Sequence, residues 1–180
     1  MTPPANEWER CAIPDSLWFM LVREYTPDDW PQVWPIIREI VRAGETFVYD
    51  PAMTEEQARE MWTVGPPAIC VVAVIDAGVV GTATAYANRP GPGAHVSSAS
   101  FMVAPDARGR GAGTALCRFV LDWAKERGFA GMQFNAVAES NHRAVDLYQR
   151  LGFEIVGTVP GAFRHPTLGR VGLHVMYCEF

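Results

Sequence analysis

Apolar residues fall along this chain in two periods. At 18–25, 68–75, 79–87, 95–103, 131–138, 153–159 and 171–180 they gather in blocks of strand length, most of them bounded by Gly, Pro, Asp or Asn. Only Asp76, Ala77 and Gly78 separate the blocks at 68–75 and 79–87, a short turn that predicts a hairpin. Elsewhere the spacing lengthens to three and four residues. Trp30, Val33, Trp34, Ile37, Ile40 and Val41 mark one helix face, opened by the start signal Thr26-Pro27-Asp28-Asp29 and closed near Gly44. Thr54-Glu55-Glu56 opens a second helix through Met61 and Trp62. A third amphipathic segment covers 114–127. The fourth carries Ala144, Leu147, Tyr148 and Leu151, with Asn141 as its cap and Gly152 as its stop. Residues 89–93 and 160–169 read as loops. This order predicts one mixed sheet with helices on both faces. Residues 1–15 read as an N-terminal arm with Trp8 as a docking residue, and 16–180 as a single domain.

Composition narrows the class without naming a chemistry. A chain of 180 residues favours one domain and can bury roughly 70 % of its extended surface. Its hydrophobic fraction of 49 % and charged fraction of 19 % are ordinary globular values. A net charge of −5 and a pI near 5.3 argue against nonspecific nucleic-acid binding, and they permit a cationic substrate such as an amine. The polar N-terminus is no signal peptide and no apolar run has the length of a membrane span, so the reading is a cytoplasmic protein that does not engage membranes. Cys11, Cys70, Cys117 and Cys178 are scattered and show no CxxC spacing. They read as reduced structural thiols, with neither a disulfide framework nor a metal site.

The most informative segment runs from Val103 to Thr114. A strand ends, a Pro-Asp turn follows, and Gly109, Gly111 and Gly113 lead into a helix. Such a junction aims several backbone N–H groups and the positive end of a helix dipole at one point, where an anion binds without many side chains. Gly111 and Gly113 leave no Cβ in the way of a pyrophosphate, and Arg108 and Arg110 add charge at the rim. No Gly-Lys-Ser/Thr ends the loop, so it is not a Walker A motif. The dinucleotide fingerprint fits poorly too, because the acid it requires falls at Glu126, inside the next helix. The loop therefore predicts a phosphate ligand that is neither ATP nor NAD.

A second motif follows: Asn141-His142-Arg143-Ala144-Val145-Asp146-Leu147-Tyr148-Gln149-Arg150-Leu151-Gly152-Phe153. Arg-Gly-x-Gly-x-Gly with Asn-x-x-Ala-x-x-Leu-Tyr-x-x-x-Gly-Phe about 30 residues on resembles the GCN5-related N-acetyltransferases (GNAT). The specific resemblance covers about 101–157, and the element order extends it from about residue 21 to the C-terminus. It implies an α/β fold: a GNAT-like mixed, mostly antiparallel sheet of six to seven strands with helices on both faces. The implied cosubstrate is acetyl-CoA as acyl donor, without a metal. Its pyrophosphate would lie on Arg108, Gly109, Arg110, Gly111, Ala112, Gly113 and Thr114. Its pantetheine arm would run along the strand ending at Met102 and Val103, with Asn141 also in contact and the Val103 N–H as an oxyanion-type donor. Tyr148 is the implied general acid for the leaving thiolate, since a phenol near pKa 10 and a thiol near 8.5 suit that transfer. The alternative readings are Asn141 as a simple helix cap and Tyr148 as a packing residue.

At the base this chain departs from the proteins it resembles. Many relatives carry Glu or His on the strand before the glycine loop, where this chain has Ser97 and Ala99. Glu45 after the first helix, and His95 acting through water, are the candidates; Asp50 and Glu139 are further carboxylates. Arg164 and His165, in the expected 160–169 loop, are candidate contacts for an acceptor carboxylate. Met20, Phe47, Tyr49 and Trp62 are candidate walls of the acceptor pocket, or core residues. The implied activity is acetyl transfer directly to a primary amine, of a small molecule or amino acid. A protein N-terminus or lysine is the alternative acceptor, and a noncatalytic acyl-CoA sensor the alternative class. A homodimer is a further expectation, because dimers are frequent among the proteins it resembles.

Overall fold

In the computed structural model residues 20–180 are described, so the arm, Trp8, Cys11 and the first residues of the expected 18–25 strand lie outside them. Strand β1 (Met20–Glu24) pairs antiparallel with β2 (Ile69–Ile75), and β2 with β3 (Gly78–Ala87). Asp76 and Ala77 turn the β2–β3 hairpin with φ of 48° and 65°, both in the left-handed region that matches the strand twist. Strand β4 (Val96–Val103) continues the antiparallel run. Helix α1 (Trp30–Ala43) follows a single 3₁₀ turn at Pro27–Asp29. There the Asp29 carboxylate accepts the Thr26 N–H at 2.8 Å and both guanidinium nitrogens of Arg23 at 2.7 Å. Helix α1 stops as expected, with Gly44 at φ 64°. Helix α2 (Glu55–Trp62) starts on the Thr54 hydroxyl, which accepts the Gln57 N–H.

Helix α3 (Ala112–Glu126), strand β5 (Gly131–Ala138) and helix α4 (His142–Arg150) complete the middle of the chain. The glycine-rich loop is therefore shorter by two residues than the apolar spacing suggests, because helical backbone begins at Ala112. Strands β6 (Glu154–His165) and β7 (Gly169–Glu179) correct a second expectation. Most of 160–169 is not a loop but a hairpin, bulged between Val159 and Phe163, with Phe163, Arg164 and His165 paired to Val171, Arg170 and Gly169. Proline and glycines mark irregular backbone, and here a bulge absorbs them without ending the strand. Among the described residues seven strands stand in the order β1-β2-β3-β4-β5-β7-β6, and of their pairings only β4–β5 is parallel.

Two apolar layers clamp this sheet. One gathers Leu116, Val120 and Ala124 of α3, and Val145 of α4, against Ala83, Met132, Phe134 and Met176. The other packs Val33, Ile37 and Val41 of α1, and Trp62 of α2, on Cys70, Val72 and Met102. Inside the second layer the Trp62 indole donates to the Thr82 hydroxyl, which donates to the Val71 carbonyl, each at 2.9 Å, so both of these buried side-chain groups are paired.

Candidate active site

The parallel pair β4–β5 holds for only two positions, Val96 with Gly131 and Ser97 with Met132. The strands then separate, although β4 continues to Val103 and β5 to Ala138. Ser97 sits at the closed end of this splay, fully buried, and its hydroxyl donates to the Gly131 carbonyl at 3.0 Å. The strand edge facing the gap follows from the hydrogen-bond alternation of antiparallel pairs. Asn88 N–H reaches the Val96 carbonyl and Ala104 N–H the Val80 carbonyl, so even-numbered residues of β4 address β3. Phe101 and Val103 therefore direct their backbone groups into the gap. Met102 turns its backbone to β3, and its side chain, 1 % exposed, packs in the α1–α2 core while also bordering the cleft. Phe101 is the residue that strand-end counting misses.

The gap opens into a cleft of about 1100 Å³, at the upper edge of small-molecule pockets, which hold roughly 300–1,000 Å³. Its floor is the glycine loop, with Gly109 and Gly111 at φ 82° and 87°. The N–H groups of Gly109, Gly111, Ala112, Gly113 and Thr114 meet no acceptor among the described residues, since the first helical bond is Ala115 N–H to the Gly111 carbonyl. Arg108 lines the cleft, and so do His142, Arg143 and Arg150 of α4, whose role the sequence reading does not anticipate. The signal for them is the polar face of α4 opposite Val145. Arg110 is exposed and lies outside the cleft lining. Ser140 contributes a buried hydroxyl without a partner. Asn141 accepts the Ala144 N–H at 3.4 Å, a long cap bond, and it also lines the cleft, so both readings of it stand.

Tyr148 forms the side wall. Its ring packs on Phe134, Phe153 and Phe101 with centroids at 4.5, 5.9 and 6.2 Å, while its hydroxyl has no hydrogen-bond partner among the described residues. Burial, with the Cys117 thiol as a smaller contribution, pushes the phenol well above its ordinary pKa. Cys117 borders the cleft as well, but burial raises its thiol and keeps it from being a thiolate nucleophile.

The candidate bases separate. Glu45 and Thr46 line the cleft opposite Tyr148's helix, and the Glu45 carboxylate makes no hydrogen bond or ion pair with a described residue. His95 is not brought to the site. It precedes β4 at the closed end, about 26 Å of strand from Val103 at ~3.3 Å per residue, and its Nδ1 lies 3.0 Å from the Pro92 carbonyl. Asp50 accepts the Ala52 N–H and Glu139 accepts the Gly172 N–H, each at 2.8 Å, so both carboxylates hold local backbone. Phe47 lines the cleft, whereas Met20 and Trp62 are core. His165 reaches the cleft from β6. Its Nδ1 accepts the Thr167 and Leu168 N–H groups at 3.3 Å, which places the proton of the neutral ring on Nε2.

Splayed strands running into a helix start with unpartnered N–H groups, beside a half-buried tyrosine, define the acyl-CoA-using acetyltransferase class. The comparisons agree with it. The sequence model of the acetyltransferase (GNAT) family matches residues 34–153, and the chain belongs to that family. A solved GCN5-related N-acetyltransferase from Kribbella flavida is 57 % identical, covers 89 % of this chain and 98 % of its own, and superposes with a TM-score of 0.87. A phosphinothricin acetyltransferase from Sinorhizobium meliloti, solved in complex with AcCoA, is 25 % identical over 89 % of this chain and 88 % of its own, with a TM-score of 0.79. The N-acetyltransferase aca1 of Schizosaccharomyces pombe is 28 % identical over 139 residues, 69 % of this chain; the match spans 66 % of that protein's length.

Proposed function

We propose that this protein moves the acetyl group of acetyl-CoA directly to a primary amine of a small molecule or amino acid, with residues 16–180 as the acetyltransferase domain. The observation that carries the reading is the free edge of β4, which leads Phe101 and Val103 straight to the unpartnered N–H groups at the start of α3. This chain fits the donor well: the loop and Arg108, Arg143 and Arg150 suit its phosphates, and the open strand edge suits the amides of its arm. The thioester so held supplies the acetyl carbon.

The acceptor nitrogen bonds to that carbon, the carbon–sulfur bond breaks, and the sulfur leaves with the bonding pair. The Val103 N–H donates to the carbonyl oxygen as negative charge builds there. An alkylammonium of pKa about 10.4 must shed its proton before attack, and the nitrogen becomes far more acidic once it bonds to carbon. Glu45 borders the same space and accepts that proton, directly or through water. Tyr148 donates a hydrogen bond to the departing sulfur. With burial raising its pKa it stays protonated until the sulfur departs, and it is the group placed to stabilise and protonate that sulfur. The reading includes a homodimer, supported by the outer strand β6, where Ile155, Val156 and Val159 are exposed.

Incubation with acetyl-CoA and a panel of amines, amino acids and short peptides tests this by mass spectrometry. A dominant acetylated amine with an equal amount of free CoA is the expected result. Protein that binds acetyl-CoA yet acetylates no member of the panel would instead support the sensor reading.

A further inference from the structure

Beside the main cleft lies a second groove of about 410 Å³, and the two share Phe47 as a wall. One side of the groove is the end of α1 and the segment after it, with Arg42, Val48 and Tyr49. The other is the β6–β7 hairpin, with Phe163 and Arg164. Phe47 and Tyr49 stack at 5.4 Å and 18°, and Phe163 is 6 % exposed, so the walls are aromatic and firm. The hairpin is held in place by Arg170, whose Nε donates to the Gly161 carbonyl at 3.0 Å across the bulge.

Charge sets this groove apart. Arg42 and Arg164 come from different elements, and neither guanidinium has a hydrogen bond or ion pair with a described residue. No Asp or Glu lines the groove. The nearby acids are otherwise placed, since Asp50 accepts the Ala52 N–H and Glu45 faces the main cleft. In a chain of net charge −5, two unpaired cations against apolar walls, with no acid among them, depart from the surface average. Strand alternation adds the connection, because His165 lines the main cleft while Arg164, its neighbour, lines the groove. The hairpin tip thus straddles both.

We infer that the groove is an acceptor subsite for a carboxylate, joined through an apolar or aromatic spacer to the amine that is acetylated next door. Arg42 and Arg164 bind the anion, Phe47 and Tyr49 flank the spacer, and His165 stands on the main-cleft side of the same hairpin tip. The acceptor is then a small amino carboxylate rather than a polyamine. This rests on the activity proposed above and goes further by naming the substrate class.

The test compares kcat/KM for amino carboxylates of graded spacer length with their neutral primary amides, in the wild type, Arg42→Gln, Arg164→Gln and the double variant. The wild type is expected to prefer the best carboxylate over its amide by about tenfold or more, the contribution of one charge-assisted hydrogen bond. Each single variant should lose most of that preference and the double variant all of it, with amide turnover and the KM for acetyl-CoA unchanged. Equal use of carboxylate and amide by the wild type overturns the inference while leaving the acetyltransferase reading intact. So does an equal loss on both acceptors in the variants, or a higher kcat/KM for an acidic peptide than for every free amino carboxylate. If no acceptor is acetylated, the proposed function fails instead, and binding of the N-acetylated amino carboxylates followed by NMR decides the groove. Shifts at Arg42 and Arg164 that vanish in the double variant support it, and their absence in the wild type refutes it.

Discussion

Gly113→Ala separates folding from cofactor binding. Gly113 is the second residue of α3 and has helical backbone, so alanine meets no conformational barrier there. A Cβ built on it lies 3.6 Å from Leu147 Cδ2 and 3.8 Å from Val103 Cγ2, ordinary van der Waals contacts. The apo fold should therefore accept the methyl and gain up to roughly 0.5–1 kcal/mol from lower unfolded-state entropy and better helix propensity. For a domain of this size that raises Tm by roughly 1–4 °C. The same methyl, however, projects between Val103 and Leu147, which both line the cleft where the phosphates and arm of acetyl-CoA are assigned. Displacing one charge-assisted hydrogen bond of about 1.5–3 kcal/mol weakens binding roughly 10- to 150-fold. Gly111→Ala would be a poorer probe, because φ of 87° makes it strained with or without ligand. Thermal melts of the apo protein and calorimetric titration with acetyl-CoA give the two numbers. A raised Tm with affinity unchanged within twofold would refute the assignment of the loop.

Three other substitutions probe separate parts of the argument. Tyr148→Phe keeps the ring stack on Phe134 and removes only the donor, so kcat should fall by about 10²-fold with acetyl-CoA affinity nearly unchanged; unchanged turnover in steady-state assays would remove Tyr148 from the mechanism. Asp29→Asn breaks the bidentate contact with Arg23 and should cost about 2 kcal/mol, less than a fully buried pair because the Arg23 side chain is 39 % exposed. The Arg23 hydrogen bonds hold the Asp29 carboxyl below its ordinary value. Its contribution is therefore complete above pH ~3.9 and lost as pH falls through the lower folded-state value. Urea denaturation from pH 7 to pH 3 should show the wild-type advantage shrinking only at the acid end. Ala77→Gly relieves a left-handed φ of 65° in the β2–β3 turn and should stabilise by about 1 kcal/mol in chemical denaturation; a destabilised variant would contradict the turn assignment.

Much of this architecture was legible because local signals were strong. Period-two blocks bounded by turn residues found the strands. Apolar residues three and four apart found the helices, and Gly44 and Gly152 marked helix ends that the structure retains. The glycine loop and the Asn141–Phe153 segment located the cleft, since both are contiguous and their chemistry is carried by backbone geometry that glycine and helix-start residues encode locally. Two local signals misled. Pro160, Gly161 and Gly169 suggested a loop where long-range pairing with β7 supports a bulged strand. His95 shares a strand face with Val103, but that says nothing of which end of the strand the gap opens from.

That gap is the part no local pattern encodes. Residue type and period report which face a side chain occupies, whereas the partner of each strand edge depends on register with segments far away in sequence. The early end of β4–β5 pairing makes Phe101 and Val103, not Met102, the residues that offer backbone groups to the cleft. Packing in three dimensions also raises the pKa of Tyr148 and faces Arg42 of α1 with Arg164 of β6 across one groove. The chain's own order thus determined the elements and the glycine loop, since these rest on neighbours a few residues apart. Strand-edge exposure, desolvation and the meeting of distant cations arise only once the sheet is assembled, because each depends on groups that the sequence keeps apart.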